Sequence, residues 1–185
     1  MITLIDTSSL VAIARYYQPF DKDKVLYSYI EKEVSDGRMI ILDKVAEEAK
    51  YTAKGIAINY LSFLSEKTNV YSTDSVMPSK RFYSMLDSSF VVHSVKKLLD
   101  DSLFEERRTN YLKSAEAALV IFAESYNGLD QVQIVTEESS SSNDGKLFQK
   151  IPQICGQLKI RTLILPEYLK GCEEVDIVIG KKEIF

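Results

Sequence analysis

Four acidic residues in this 185-residue chain lie where several carboxylates can act together. Each follows a predicted strand or lies in the first turns of a predicted helix: Asp6, Glu48, Glu116 and Glu138. Carboxylates brought into one crevice repel one another and raise one another's pKa, so such a cluster needs a cation. Because all four ligands are oxygens, the hard ions Mg²⁺ or Mn²⁺ suit the cluster best. These ions orient a phosphodiester and help ionise an attacking water, so the predicted chemistry is phosphodiester hydrolysis.

The first half of the chain predicts two strand–helix units that carry the first two acids. The short apolar run Ile2–Ile5 predicts a strand that stops at Asp6. The run 39–42 predicts a second buried strand, and Asp43 can cap the helix after it. Apolar spacing predicts that this helix runs on to residue 64, with a bend near Gly55.

The second half of the chain repeats the alternation. Ser114 is a predicted cap for a helix with the uninterrupted apolar run 117–123, which indicates deep burial beside Glu116. The runs 133–136 and 162–165 predict two further strands. Strands that alternate with helices predict an α/β fold with a mainly parallel sheet, because parallel neighbours need a crossover connection. The carboxyl ends of such strands share one edge, where ligands collect.

Length and composition predict one globular domain over residues 1–185. Hydrophobic residues make up 45% of the chain and charged residues 27%, which excludes disorder as its main state. Within this domain we expect a mainly helical insertion over 65–113 and a C-terminal arm or hairpin over 174–185. No run approaches the ~20 apolar residues that a bilayer crossing needs, so we expect a cytoplasmic protein with no membrane contact.

Composition also excludes several kinds of site. Two cysteines, Cys155 and Cys172, and one histidine, His93, cannot supply a disulfide framework or a four-ligand zinc site. The net charge of −4 excludes a uniformly basic nucleic-acid-binding surface, so any nucleic-acid contact must be local. The pair Gly145-Lys146 lacks the upstream glycine and the following Ser or Thr of a P-loop, which argues against nucleotide binding.

Four stretches of the chain resemble the PIN-domain nucleases, a family that includes the VapC-type toxins of bacterial toxin–antitoxin pairs. They are ITLIDTSSL, ILDKVAEE, SAEAALVIFA and IVTEESSSSNDGKLFQKIPQIC. The resemblance implies a three-layer α/β/α PIN-like fold with strand order 3-2-1-4-5, and Mg²⁺-dependent endoribonuclease activity. The last stretch is similar to a longer branch of PIN-like proteins rather than to the compact toxins.

The resemblance also implies roles for particular residues. The catalytic and metal-binding acids would be Asp6, Glu48, Glu116 and Glu138. Glu137 and Asp144 are alternatives for the fourth acid, and Thr7 or Ser8 would be the hydroxyl that positions substrate or solvent. RNA is the implied substrate, and the implied partners are an antitoxin protein and a second copy of the chain.

A second function stays open, in which a catalytically weak PIN-like domain binds RNA or a protein partner. The third acid of the family is usually Asp, whereas Glu116 is one methylene longer. Metal sites are sensitive to the positions of their oxygens. Taken singly, each acid also has a structural explanation as a turn, cap or first-turn helix residue. The acidic net charge favours this second function too.

Overall fold

A computed structural model describes residues 1–126, 131–140, 145–172 and 175 of the chain. Its strands are β1 (Ile2–Ile5), β2 (Met39–Ile40), β3 (Val132–Val135) and β4 (Arg161–Leu163). Its α-helices are α1 (Thr7–Ala12), α2 (Val25–Ser35), α3 (Asp43–Tyr51), α4 (Ile56–Tyr60), α5 (Lys80–Ser88), α6 (His93–Lys96), α7 (Asp101–Leu112), α8 (Ala115–Tyr126), α9 (Ile151–Leu158) and α10 (Leu165–Lys170). A π-helical turn, Ile13–Tyr17, continues α1. Apart from Val175, the predicted arm 174–185 lies outside the described residues.

The four strands form one parallel sheet in the order β2-β1-β3-β4. Leu4 in β1 lies between Ile40 of β2 and Ile134 of β3. A single parallel bridge from Leu42 to Tyr71 adds one more pair outside β2. If the bridged residue Tyr71 is counted as the third element along the chain, the order across the sheet is 3-2-1-4-5. The predicted α/β fold with a mainly parallel sheet is therefore confirmed.

Helices cover both faces of the sheet, as a three-layer fold requires. Successive side chains of a strand point to opposite faces. In β1, Leu4 and Ile5 are both fully buried, and in β3 the same holds for Ile134 and Val135. Apolar helix faces on each side must supply the contacts that bury these residues, which belong to one continuous hydrophobic cluster.

The helix predicted over 43–64 is broken by a strained turn. α3 ends early, and Ala53, Lys54 and Gly55 all adopt positive φ angles before α4 begins. A Cβ atom on Gly55 would lie 2.9 Å from the carbonyl oxygen of Lys50, so a side chain at this position would clash with backbone. The predicted bend is thus a full interruption of the helix.

Two predicted element ends are also wrong. Asp43 is the first residue of α3 rather than its cap, and its carboxylate accepts bonds from the backbone N–H and the hydroxyl of Thr73. This contact ties the helix to the chain beside the Tyr71 bridge. The strand predicted over 162–165 ends at Leu163, because α10 already begins at Leu165.

The region 65–113 holds α5, α6 and α7, joined by turns. Ser79 and Asp100 cap α5 and α7 through side-chain oxygens that accept backbone N–H bonds. Phe82 and Phe90 from this region are fully buried in the common core. Among the described residues, no helix is both long enough and apolar enough to cross a bilayer.

Candidate active site

Asp6 is the centre of the candidate site, at the point where β1 ends and α1 begins. Its Oδ1 accepts the backbone N–H of Thr7 at 2.8 Å, which caps α1. Its Oδ2 accepts the hydroxyls of Ser8 at 2.6 Å and of Thr136 at 2.9 Å. The residue is only 5% exposed. Local sequence explains this placement, because the apolar strand ends where the polar run Asp-Thr-Ser can start a helix.

The environment of Asp6 disfavours its charge. Burial raises the pKa of its carboxyl group from 3.8 to about 6, against the opposite effect of the bonds from Ser8 and Thr136. The negative charges of Glu138 and Glu48 are smaller contributions to the same rise. All the bonds that Asp6 receives come from neutral donors. The fold therefore buries a carboxylate near other carboxylates, and no cationic side chain of the described residues bonds to it.

Glu48 reaches the site from α3 through a hydroxyl. The Thr7 Oγ1 donates to Glu48 Oε2 at 2.6 Å, across the contact between α1 and α3. Glu48 itself is exposed. The two predicted hydroxyl residues thus have different partners, since Thr7 holds Glu48 whereas Ser8 holds Asp6.

Glu116 and Glu138 share one lysine. The Lys146 Nζ lies 2.7 Å from Glu116 Oε1 and 3.3 Å from Glu138 Oε1. The other oxygen of Glu138 accepts the backbone N–H of Ile151, the first residue of α9, at 3.0 Å. These bonds orient both carboxylates, and the ammonium group of Lys146 contacts both of them.

The alternatives for the fourth acid have different outcomes. Glu137 turns away, because its Oε1 accepts the backbone N–H of Leu165, the first residue of α10, at 2.7 Å. The same oxygen lies 3.5 Å from the Ser9 hydroxyl. Asp144 lies outside the described residues. Of the candidates that can be compared, Glu138 is the one whose charge acts on Asp6.

The donor set can be compared with what a divalent ion needs. Oxygen ligands, net negative charge and a buried carboxylate without a cation fit Mg²⁺ or Mn²⁺. Within the part of the chain that the structure describes, no group of three or more His, Cys, Asp or Glu side chains is placed so that it could hold a metal ion. The residues fit the ion by chemistry and charge, and the flexible Glu side chains would have to rotate toward Asp6 to enclose it.

Comparison with known proteins places the chain in a family. A family model described as "Domain of unknown function (DUF4411)" matches residues 3–174. The chain belongs to this family. No curated protein matches the chain, and neither does any solved structure. The DUF4411 match covers all four candidate acids together with Lys146.

Three site residues of this DUF4411 chain are absent from the sequence-based prediction: Thr136, Lys146 and Tyr111. Thr136 could have been found, since pairing Ile5 with Val135 makes Asp6 and Thr136 neighbours just past the strand ends. Lys146 is separated from Glu116 by 30 positions, and no local pattern predicts their contact. Tyr111 lies on α7, where its buried ring gives no sequence signal of nearby acids.

Proposed function

We propose that the chain is a PIN-like ribonuclease that hydrolyses RNA phosphodiester bonds with Mg²⁺ or Mn²⁺. The observation that carries this proposal is the environment of Asp6. Its carboxylate is almost fully buried, receives bonds only from neutral donors and lies under the charges of Glu48 and Glu138. Such a group is costly to keep ionised, and a divalent cation would remove that cost.

The topology supports the same proposal. Counted with the Tyr71 bridge, the strand order is the 3-2-1-4-5 that the resemblance to PIN-domain nucleases implies. Asp6 and Glu138 both follow the carboxyl ends of strands at the centre of that sheet. Ligands of open parallel sheets collect at this edge.

The residues of the site have two roles, because some would bind the ion and others orient the acids that bind it. Asp6, Glu48, Glu116 and Glu138 would hold the ion. A bound Mg²⁺ or Mn²⁺ supplies a Lewis acid that polarises the phosphodiester and lowers the pKa of an attacking water.

Hydroxyl groups of the chain orient two of these acids. Ser8 and Thr136 lock the orientation of the Asp6 carboxylate, and Thr7 sets that of Glu48. Because Glu48 is exposed, water and an extended RNA strand can reach its side chain.

The test is cleavage of a mixed RNA pool by the purified protein with Mn²⁺, with Mg²⁺ and with a chelator. We expect cleavage with the ions and a loss of at least about 100-fold in Asp6→Asn and Glu48→Gln. Glu47→Gln is the matched control, since Glu47 is the neighbouring acid on α3 and pairs with Lys50 instead. Equal cleavage by wild type and Asp6→Asn, or cleavage that survives chelation, would contradict the proposal.

One observation favours the alternative of a catalytically weak module that binds RNA or protein. Lys146 already provides a cation for Glu116 and Glu138, so half of the acid set is compensated without a metal. Thermal melting with millimolar Mn²⁺ or Mg²⁺ separates the two functions. An ion that binds only the folded state stabilises it by about 2.7 kcal/mol at 100 times Kd. A melting temperature that neither ion changes would support the binding module.

Partners follow from the same resemblance. As the toxin of a toxin–antitoxin pair, the chain would bind an antitoxin protein, and it would pair with a second copy of itself. Light scattering during size-exclusion chromatography tests the homodimer. If the chain is a toxin, its expression should arrest cell growth, and Asp6→Asn should abolish that arrest.

A further inference from the structure

Lys146 occupies a central place in the acid cluster. It follows Gly145, whose φ of 70° is one that favours glycine. Its ammonium bridges Glu116, which is 27% exposed, and Glu138, which is 15% exposed. The Lys146 side chain is itself 43% exposed, so the pairs are partly open to water but are screened less than at a fully open surface.

An ammonium and a divalent ion cannot both use these oxygens. Mg²⁺ requires oxygen ligands at about 2.0–2.1 Å in a nearly octahedral arrangement. The Lys146 Nζ lies 2.7 Å from Glu116 Oε1 and 3.3 Å from Glu138 Oε1. A divalent ion bound by the same atoms would stand within a few ångströms of the ammonium, and like charges at that distance repel strongly. Binding of the ion and the lysine contact therefore oppose each other.

A buried hydroxyl beside the same two acids provides an independent observation. Tyr111 is 8% exposed, and its ring packs on Phe148 with the ring centroids 4.5 Å apart. Its hydroxyl is buried and has no hydrogen-bond partner among the described residues. The Tyr111 carbonyl accepts the hydroxyl of Ser114, which caps the helix that carries Glu116, and Phe148 lies two positions from Lys146. Burial raises the pKa of this phenol, and the charges of Glu116 and Glu138 act in the same direction. Buried hydroxyls almost always have partners, so this one indicates a second arrangement of the site.

We propose that Lys146 is the resident cation of the metal-free site, that a divalent ion displaces its ammonium from Glu116 and Glu138, and that the Tyr111 hydroxyl then donates to one of these carboxylates. Lys146 is accordingly a positioning residue that sets the metal affinity of the site. This inference rests on the proposed function for the identity of the ion. It goes beyond that function in stating that the Lys146 ammonium competes with the ion for the site and so regulates metal binding.

The test is a Mn²⁺ titration without RNA. Binding is measured by calorimetry and by the loss of the electron paramagnetic resonance signal of free Mn²⁺. We expect Lys146→Gln to bind Mn²⁺ about tenfold more tightly than wild type, because the competitor and its repulsion are gone. We expect the same variant to melt at a lower temperature than wild type when no metal is present. Lys146→Arg keeps a cation and should restore both properties toward wild type.

Lys97→Gln is the matched control for a change in net charge. Lys97 is exposed on the chain after α6 and forms no ion pair with another described residue. It should leave both the Mn²⁺ affinity and the metal-free melting temperature unchanged. An equal or weaker Mn²⁺ affinity in Lys146→Gln would overturn the inference.

Tyr111→Phe tests the second half of the inference without disturbing a charge. Removing an unpartnered buried hydroxyl should leave the metal-free protein as stable as wild type or more stable. If the hydroxyl donates only in the metal-bound state, the variant should bind Mn²⁺ about three- to tenfold more weakly. Unchanged Mn²⁺ affinity would overturn this half.

Failure of the inference and failure of the proposed function give different results. If wild type and Lys146→Gln both bind no Mn²⁺, the proposed metal-dependent function fails, and the inference fails with it. If wild type binds Mn²⁺ and cleaves RNA while Lys146→Gln has the same affinity, the function stands and only the inference is overturned.

Discussion

Asp6 and Glu33 are the two buried acids in the described part of the chain. They lie at opposite ends of the parallel strands. Asp6 follows the carboxyl end of β1, whereas Glu33 lies beside the amino end of β2. Their exposures are similar, at 5% and 8%. Their partners differ completely. Glu33 accepts a bond from the guanidinium of Arg38 at 2.7 Å, whereas Asp6 receives only hydroxyl and backbone donors.

This difference distinguishes an acid that serves the fold from one that does not. The chain provides the charge of Glu33 with a cation within five positions, and Arg38 also contacts Asp36. Asp6 is instead buried without such a cation and has two further carboxylates near it, and its burial above all raises the free energy of the folded state at neutral pH. Strongly perturbed groups of this kind concentrate at functional sites. The comparison therefore predicts opposite effects when each charge is removed.

The largest expected effect is a gain in stability for Asp6→Asn. In the metal-free protein at pH 8, we expect its free energy of unfolding to exceed that of wild type by up to about 3 kcal/mol. This value corresponds to a pKa raised from 3.8 to about 6, at 1.36 kcal/mol per unit. The amide can still accept from Thr7 and bond the hydroxyls of Ser8 and Thr136. Urea denaturation in the presence of a chelator measures the difference.

The pH dependence of that gain has a definite sign. The folded state holds a proton on Asp6 up to about pH 6, and the unfolded chain releases it near 3.8. Between these values the folded state binds more protons, so the stability of wild type falls as pH rises. The advantage of Asp6→Asn should vanish near pH 4 and be complete above about pH 7. A gain that is equally large at pH 4 would show that charge is not its cause, and Glu47→Gln should give no gain at either pH.

A smaller loss is expected for Thr136→Val, which sharpens the account of Asp6. The Thr136 hydroxyl donates to Asp6 Oδ2 at 2.9 Å and accepts the backbone N–H of Glu138 at 3.2 Å. Valine has nearly the same shape without the hydroxyl, so both bonds are lost and the Asp6 pKa should rise further. We expect a loss of about 1–2 kcal/mol at pH 8, and a smaller loss at pH 4, where the carboxyl is neutral. Equal losses at both pH values would show that Thr136 does not stabilise the ionised carboxylate.

Local patterns in the sequence predict much of this site because three of its acids, Asp6, Glu116 and Glu138, lie at or just past the ends of simple elements. The run Ile2–Ile5 is apolar and β-branched, and it stops at a residue that caps the next helix. The helix after Ser114 is capped by that serine and buried along its apolar run, as predicted. A parallel sheet then brings strand ends to one edge without any need to know side-chain positions.

The partners of the acids could not be predicted in the same way. Lys146 reaches Glu116 across 30 positions, and only the three-dimensional path of the chain brings them together. Glu33 sits in an amphipathic helix, where a charged residue normally indicates a solvent-facing side chain. The break at Ala53 and Lys54 puts non-glycine residues at positive φ, which is uncommon and which their local sequence does not signal.

The smallest expected effect belongs to Glu33→Gln, which completes the comparison. Its removal breaks the bond to Arg38, whose guanidinium is half exposed, so the pair is partly screened by water. We expect the melting temperature to fall by about 2–4 °C, the opposite direction from Asp6→Asn. Because Glu33 lies at the other end of the strands, the shift caused by Mn²⁺ should equal that of wild type. Differential scanning fluorimetry with and without Mn²⁺ measures both quantities. A rise in melting temperature would mean that Glu33 is also a destabilising acid, and the contrast between the two ends would then be lost.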